Sequence, residues 1–102
     1  MANPNLFQTV RTPIIGSGGT FTYTGTAGTS SALPSGANGA FVWTTTDAYI
    51  TLGVAATATT TNWPVPAYTP VFIPNQDETG QRVRLSAIQI SAAGSAYFVA
   101  VV

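Results

Sequence analysis

Apolar and polar positions alternate with a period of two along most of this chain, and no window of helical length shows three-and-four apolar spacing without a glycine or proline inside it. The clearest case is Thr20 to Thr24, where Phe21 and Tyr23 share one face and three threonines the other. Phe41 to Thr46 and Ala48 to Gly53 give two further strands joined closely at Asp47, the second with Ala48, Ile50 and Leu52 on one side. Val71 to Ile73 is a short strand between prolines, and Ile14 with Ile15 starts another before the glycine-rich turn at Gly16 to Gly19. Between Gln81 and Ser91 the pattern changes phase, with Val83 and Leu85 on one parity and Ile88 and Ile90 on the other. That predicts a β-bulge, or a change of sheet, at Ser86 and Ala87.

The last strand, Ser95 to Val102, is apolar on both parities, so both faces are expected to be buried: Tyr97, Val99 and Val101 on one, Phe98, Ala100 and Val102 on the other. Threonine, valine, isoleucine and aromatic residues suit a pleated surface, and glycine and proline recur too often for long helices. Roughly seven short strands with turn signals between them give an all-β fold, a single-domain β-sandwich of jelly-roll-like topology. Residues 14–102 form this domain. Residues 1–13, framed by Pro4 and Pro13 and carrying Leu6, Phe7 and Val10 with no glycine turn to fold them back, read as an extended N-terminal arm. The segment from Gly25 to Gly39 is a long Gly/Ser/Thr/Ala loop containing Leu33, either mobile or ordered by a neighbour.

Charge sharpens this picture. The 102 residues include three basic and three acidic side chains, Arg11, Asp47, Asp77, Glu78, Arg82 and Arg84, with no histidine or cysteine. A soluble domain usually carries mixed charges and a net charge away from zero, so a neutral Thr/Ser/Gly surface implies cover by other protein. A core of this size gains from disulfides, metals or association, and only association is open to a chain without cysteine or histidine. Three arginines are too few to neutralise a nucleic-acid backbone, so no nucleic-acid partner is expected. The longest apolar run, Ala96 to Val102, is too short for a membrane-spanning helix. The start of the chain lacks a basic stretch followed by an apolar core, so neither membrane nor export is expected.

The same inventory leaves little chemistry. Nucleophilic triads, zinc sites and thiol chemistry lack their residues, and the three carboxylates are far apart in sequence, so no catalytic residue, metal or cofactor is assigned. Asn75 to Gly80 resembles the start of a calcium loop, but Ser86 stands where a closing glutamate belongs. Gly16 to Gly19 has neither the lysine nor the following helix of a phosphate cradle. Arg82 and Arg84 share one strand face and either pair with Asp77 or Glu78, hold a ligand oxygen, or meet a partner subunit. Trp43, Trp63, Tyr49, Tyr68 and Tyr97 raise carbohydrate stacking. Trp43, on the parity of Phe41, is read as core, and Trp63, beside Pro64, as the exposed ring.

The order of parts from Ala48 to Val102 resembles small virion structural proteins of tailed bacteriophages, in particular capsid decoration (cement) proteins. The resemblance lies in Ala48 to Gly53, the Ala/Thr segment Ala55 to Thr60, the prolines from Val65 to Pro74, Val83 to Ile88, and Gly94 to Val99. It implies a non-enzymatic protein synthesised in the host cytoplasm and placed on the outer surface of the phage head. There it would bridge neighbouring major capsid subunits as a homo-oligomer, trimer before dimer. The expected contact residues are Leu6, Phe7, Val10 and Arg11 of the arm, Leu33 of the loop, Trp63, Arg82, Arg84, and Tyr97, Phe98 and Val102 of the terminal strand. The alternatives are a carbohydrate- or receptor-binding module of a tail spike or fibre, and a neck or tail adaptor.

Overall fold

Alternation becomes structure in eight strands: β1 (Gly19–Tyr23), β2 (Gly28–Thr29), β3 (Gly39–Thr44), β4 (Ala48–Gly53), β5 (Trp63–Val65), β6 (Val71–Pro74), β7 (Arg84–Gln89) and β8 (Gly94–Val101). The computed structural model describes residues 12–75 and 81–102, so Leu6, Phe7, Val10, Arg11, Asp77 and Glu78 lie outside the described residues. Among the described residues there is no helix.

Antiparallel pairing of β1 with β8, β2 with β7, β3 with β6 and β4 with β5 is that of one long hairpin whose turn lies between β4 and β5. Wrapping that hairpin brings β3 beside β8 and β4 beside β7. The result is two four-stranded sheets, ordered β1-β8-β3-β6 (sheet A) and β2-β7-β4-β5 (sheet B), the jelly-roll sandwich expected from the sequence. Asp47 marks the point where the chain leaves sheet A for sheet B rather than the tip of a hairpin.

The core lies between the sheets. Sheet A supplies Phe21, Tyr23, Ala40, Val42, Ile73, Ala96, Phe98 and Ala100; sheet B supplies Ala48, Ile50, Val65, Leu85 and Ala87. Facing sheets stand about 10 Å apart, a gap that side chains of the two layers must share. Rings from β1 and β8 take much of it, with Phe21 and Phe98 centroids 6.1 Å apart. Accordingly β3 turns its smaller residues Ala40, Val42 and Thr44 inward. Trp43 is therefore not core, as its shared parity with Phe41 had implied; both rings lie on the outer face of sheet A.

No bulge occurs at Ser86. Strand β7 pairs residue for residue with β4, from Gly53 opposite Arg84 to Ala48 opposite Gln89. Val83, Leu85 and Ala87 keep one inward parity, and Ser86 is buried on the other side because other chain segments cover it. Its Oγ accepts the Ala58 N–H at 2.9 Å and donates to the Gly28 carbonyl at 2.8 Å. The buried serine hid the alternation, and Ile88 and Ile90 belong to the outer parity. In β8 the inner residues Ala96, Phe98 and Ala100 are buried, whereas on the outer parity Tyr97 is exposed, Val99 half-buried and Val101 buried.

The segment from Gly25 to Gly39 is ordered by its own domain. It contains β2, donates the Ser30 and Leu33 N–H groups to the Leu85 and Val83 carbonyls at 2.8 and 2.7 Å, and buries Leu33 to 1 % exposure. At the other end of the chain, Pro13 bridges Val101, and the Val102 N–H reaches the Thr12 carbonyl at 3.0 Å.

One inward polar group breaks the pattern. Thr44 is fully buried, and its Oγ1 has no hydrogen-bond partner among the described residues. An unmade hydrogen bond of this kind costs about 1–3 kcal/mol. Thr44→Val is expected to raise stability by about 1 kcal/mol, seen as a higher urea midpoint at unchanged slope. A lower midpoint would mean that the hydroxyl is satisfied.

Candidate interaction surface

Sheet A carries no charged residue in any of its four strands. Its outer face is built from the parity that the core rejects, and cross-strand register sets the residues in rows. Trp43 stands opposite Tyr97, and Phe41 stands between Val99 and Phe72. Cross-strand neighbours on one face lie about 5 Å apart at Cβ, close enough for rings to pack. Trp43 and Tyr97 stack with centroids 4.5 Å apart and planes at 17°, and Phe41 meets Phe72 edge-on at 5.6 Å and 60°. Because the stacked pair spans adjacent strands, each ring covers a face of the other.

A third ring extends the first row. Tyr68, in the connection between β5 and β6, sits with its centroid 5.7 Å from that of Trp43 and is 68 % exposed. Its φ of 57° is the one left-handed value among the described non-glycine residues. Bulky residues avoid that region, at a cost on the order of 1–3 kcal/mol, unless their surroundings impose it. Here the imposition is visible. Asp47 Oδ1 accepts the Ala67 N–H at 2.8 Å, and the Thr44 carbonyl accepts the Tyr68 N–H at 2.7 Å. The turn is thus tied to the end of β3 and to the connection after it, and Tyr68 is held out beside Trp43.

This strain yields a test. Glycine occupies the left-handed region freely. Tyr68→Gly is expected to leave stability unchanged or raise it by up to about 1 kcal/mol, although a large aromatic side chain is lost. Calorimetry showing a loss of more than about 2 kcal/mol would mean that ring packing outweighs strain at this site.

The residues expected as contacts fall into separate places. Tyr97, at 40 % exposure, is part of the aromatic row, and Val102 is exposed at the chain end. Trp63 is 51 % exposed, but on β5, the edge of sheet B, away from that row. Leu33 and Phe98, at 1 % and 8 % exposure, lie in the core of the domain rather than on its surface. Arg82 and Arg84 reach back into their own domain. Arg82 Nε donates to the Leu33 carbonyl at 2.8 Å and its second guanidinium nitrogen to the Ala32 carbonyl at 3.2 Å, while Arg84 donates to the Ser30 carbonyl at 3.4 Å. They hold the loop that places Leu33.

Sequence reasoning missed Trp43, Phe41, Phe72 and the role of Tyr68. The available signal was the double alternation of β3, apolar on both parities like β8, which marks a strand with something to cover on each side. Among the described residues no cluster of three or more histidine, cysteine or acidic side chains is placed to hold a metal. Asp47, the one acidic side chain among the described residues, is engaged by the Ala67 backbone. The surface can therefore bind through apolar contact and neutral hydrogen bonds. No family model, curated protein or solved structure matches the chain.

Proposed function

We propose that this chain is a non-enzymatic structural protein of a bacteriophage virion, a decoration protein that seats the outer face of sheet A on the head and bridges neighbouring major capsid subunits. The observation that carries the reading is the charge-free outer face of sheet A, with Trp43 and Tyr97 stacked across it and Tyr68 held beside them in a left-handed conformation. The order of parts from Ala48 to Val102, which resembles such proteins, and the jelly-roll strand order support it.

Area then bears on stoichiometry. Four strands at about 4.8 Å spacing and about six residues at 3.3 Å give a face of roughly 400 Å², about half of what each partner contributes to a standard interface. One copy attaches weakly through such a face. Two or three joined copies, the trimer preferred, gain avidity from several weak contacts without any single strong one. Lack of charge helps, since an ionic surface must find a partner for every buried charge.

Purified protein added to mature heads lacking it is expected to co-sediment with them in hundreds of copies and to raise their resistance to heat. Binding to tails alone, or a stoichiometry of a dozen or fewer at one vertex, would replace the decoration role by that of a fibre or a neck adaptor. No binding to any virion part would end the virion reading altogether.

A further inference from the structure

The two long sides of the sandwich differ. On one, β1 and β2 are joined by a short turn in which the Thr24 N–H meets the Thr26 carbonyl at 3.2 Å, and Gly28 passes directly against the Thr22 backbone. On the other, the edge strands β5 and β6 leave a cleft of about 400 Å³ between the sheets. Its apolar lining includes the core residues Ile50 and Ile73 with Leu52, and its rim carries Asn62 and Trp63. Pro64 and Pro74, also in the lining, each fix one φ in an edge strand, which limits the conformations the walls can take.

The rim groups have unspent hydrogen-bonding capacity. Asn62 Oδ1 is occupied by the Thr59 N–H at 2.6 Å and the Thr59 hydroxyl at 3.3 Å, which leaves its amide NH₂ without a partner among the described residues. That pair of bonds also orients the amide. The Trp63 indole N–H likewise has no partner among the described residues, and the Trp63 ring is half exposed. No charged residue lines the cleft.

We infer that this cleft is a binding site for a neutral saccharide. A half-exposed indole offers a pyranose ring an apolar face to stack on, and the amide and indole N–H groups supply donors for ring and hydroxyl oxygens. The volume lies at the small end of ligand sites, sized for one or two sugar rings rather than a long chain. Phosphates, nucleotides and acidic ligands are disfavoured because nothing in the lining answers their charge. An added peptide strand is disfavoured on the sheet B side because Pro64 in β5, and Pro66 just after it, lack the N–H groups that strand addition uses. The site is separate from the outer face of sheet A and does not depend on the proposed seat on a capsid.

The test is an array of neutral glycans probed with the full-length protein, followed by titration of the best-bound neutral oligosaccharide while recording backbone amide NMR shifts. Shifts confined to residues 50–52, 61–63 and 73, with affinity at least tenfold weaker in Trp63→Ala and partly restored in Trp63→Phe, are the expected result. Asn62→Asp, which keeps the Oδ1 that accepts from Thr59 and removes the amide NH₂, is expected to weaken binding a few-fold and guards against misfolding of the tryptophan variant. The inference is overturned by an array with no neutral glycan bound, by binding that all three variants leave unchanged, or by shifts centred on Trp43, Tyr68 and Tyr97. Head binding measured on Trp63→Ala is expected to stay at wild-type level, so failure of the saccharide site and failure of the capsid reading are told apart.

Discussion

Gly28→Ala is expected to cost the domain at least about 3 kcal/mol, the largest loss from any single methyl group in this fold. A Cβ at Gly28 would overlap the Thr22 carbonyl oxygen and lie 2.9 Å from its carbon and 3.3 Å from Tyr23 Cα. These are backbone atoms of β1, so no rotamer change relieves the clash. Either β2 moves off β7, breaking the Ser86 hydroxyl bond to the Gly28 carbonyl, or β1 moves off β8. Both choices open the side of the sandwich where the two sheets are joined. For a domain near 100 residues each kcal/mol moves the midpoint by about 4–8 °C, so thermal unfolding should fall by at least roughly 12 °C. Gly36→Ala is the control: its φ of 85° is unfavourable to alanine but nothing lies within 4 Å, so about 1 kcal/mol is expected. A Gly28→Ala midpoint within about 2 °C of wild type would mean that the two sheets do not approach each other there.

Trp43→Ser combined with Tyr97→Ser is expected to abolish the proposed attachment to heads while leaving the fold intact. The two rings form the stacked centre of the sheet A face, and truncating a central aromatic anchor commonly costs 2 kcal/mol or more, about 30-fold in affinity per site. In an oligomer that loss is repeated at every copy, so the combined effect exceeds what one site predicts. The cost to the isolated domain should be small, about 1 kcal/mol for the lost stacking, because neither ring is part of the core cluster. Co-sedimentation gives attachment and circular dichroism gives the fold. A folded double variant that still saturates heads would remove this face from the contact and leave the proposed seat without its main support.

How far the chain was legible depends on the scale of the question. The alternation of Thr20 to Thr24 put Phe21 and Tyr23 on one face, which is the inner one, and the shared parity of Ala48, Ile50 and Leu52 likewise coincides with the core-facing side of β4. Where both parities were apolar, as in β3 and β8, local pattern could not say which side faced the other sheet. The choice fell to volume: with Phe21, Tyr23 and Phe98 inside, β3 turned Ala40 and Val42 inward and left Phe41 and Trp43 outside. Ser86 misled for a related reason. It is buried against the Ala58 N–H and the Gly28 carbonyl, contacts 28 and 58 residues away in sequence.

The candidate surface was legible only in part. Tyr97 was named from the sequence, and Trp63 was recognised as an exposed ring, but Leu33 and Phe98 were assigned outward and lie in the core. Arg82 and Arg84 were marked as contacts because arginines in a neutral chain stand out, yet the carbonyls they bind, at Ser30, Ala32 and Leu33, are about 50 residues distant. No local pattern announces such a bond.

By itself, the sequence determined that this is a β-sandwich domain with little charge: β-branched and aromatic residues at period two, cut by glycine and proline, leave a chain no other regular way to bury its apolar side chains. Tertiary structure decided which aromatic residues became surface. The inner gap is filled once, by whichever strands pack their rings into it first in space rather than in sequence, and the rings left over, Phe41, Trp43, Phe72 and Tyr97, make the outer face to which Tyr68 is tied by the Thr44 carbonyl and the Asp47 carboxylate.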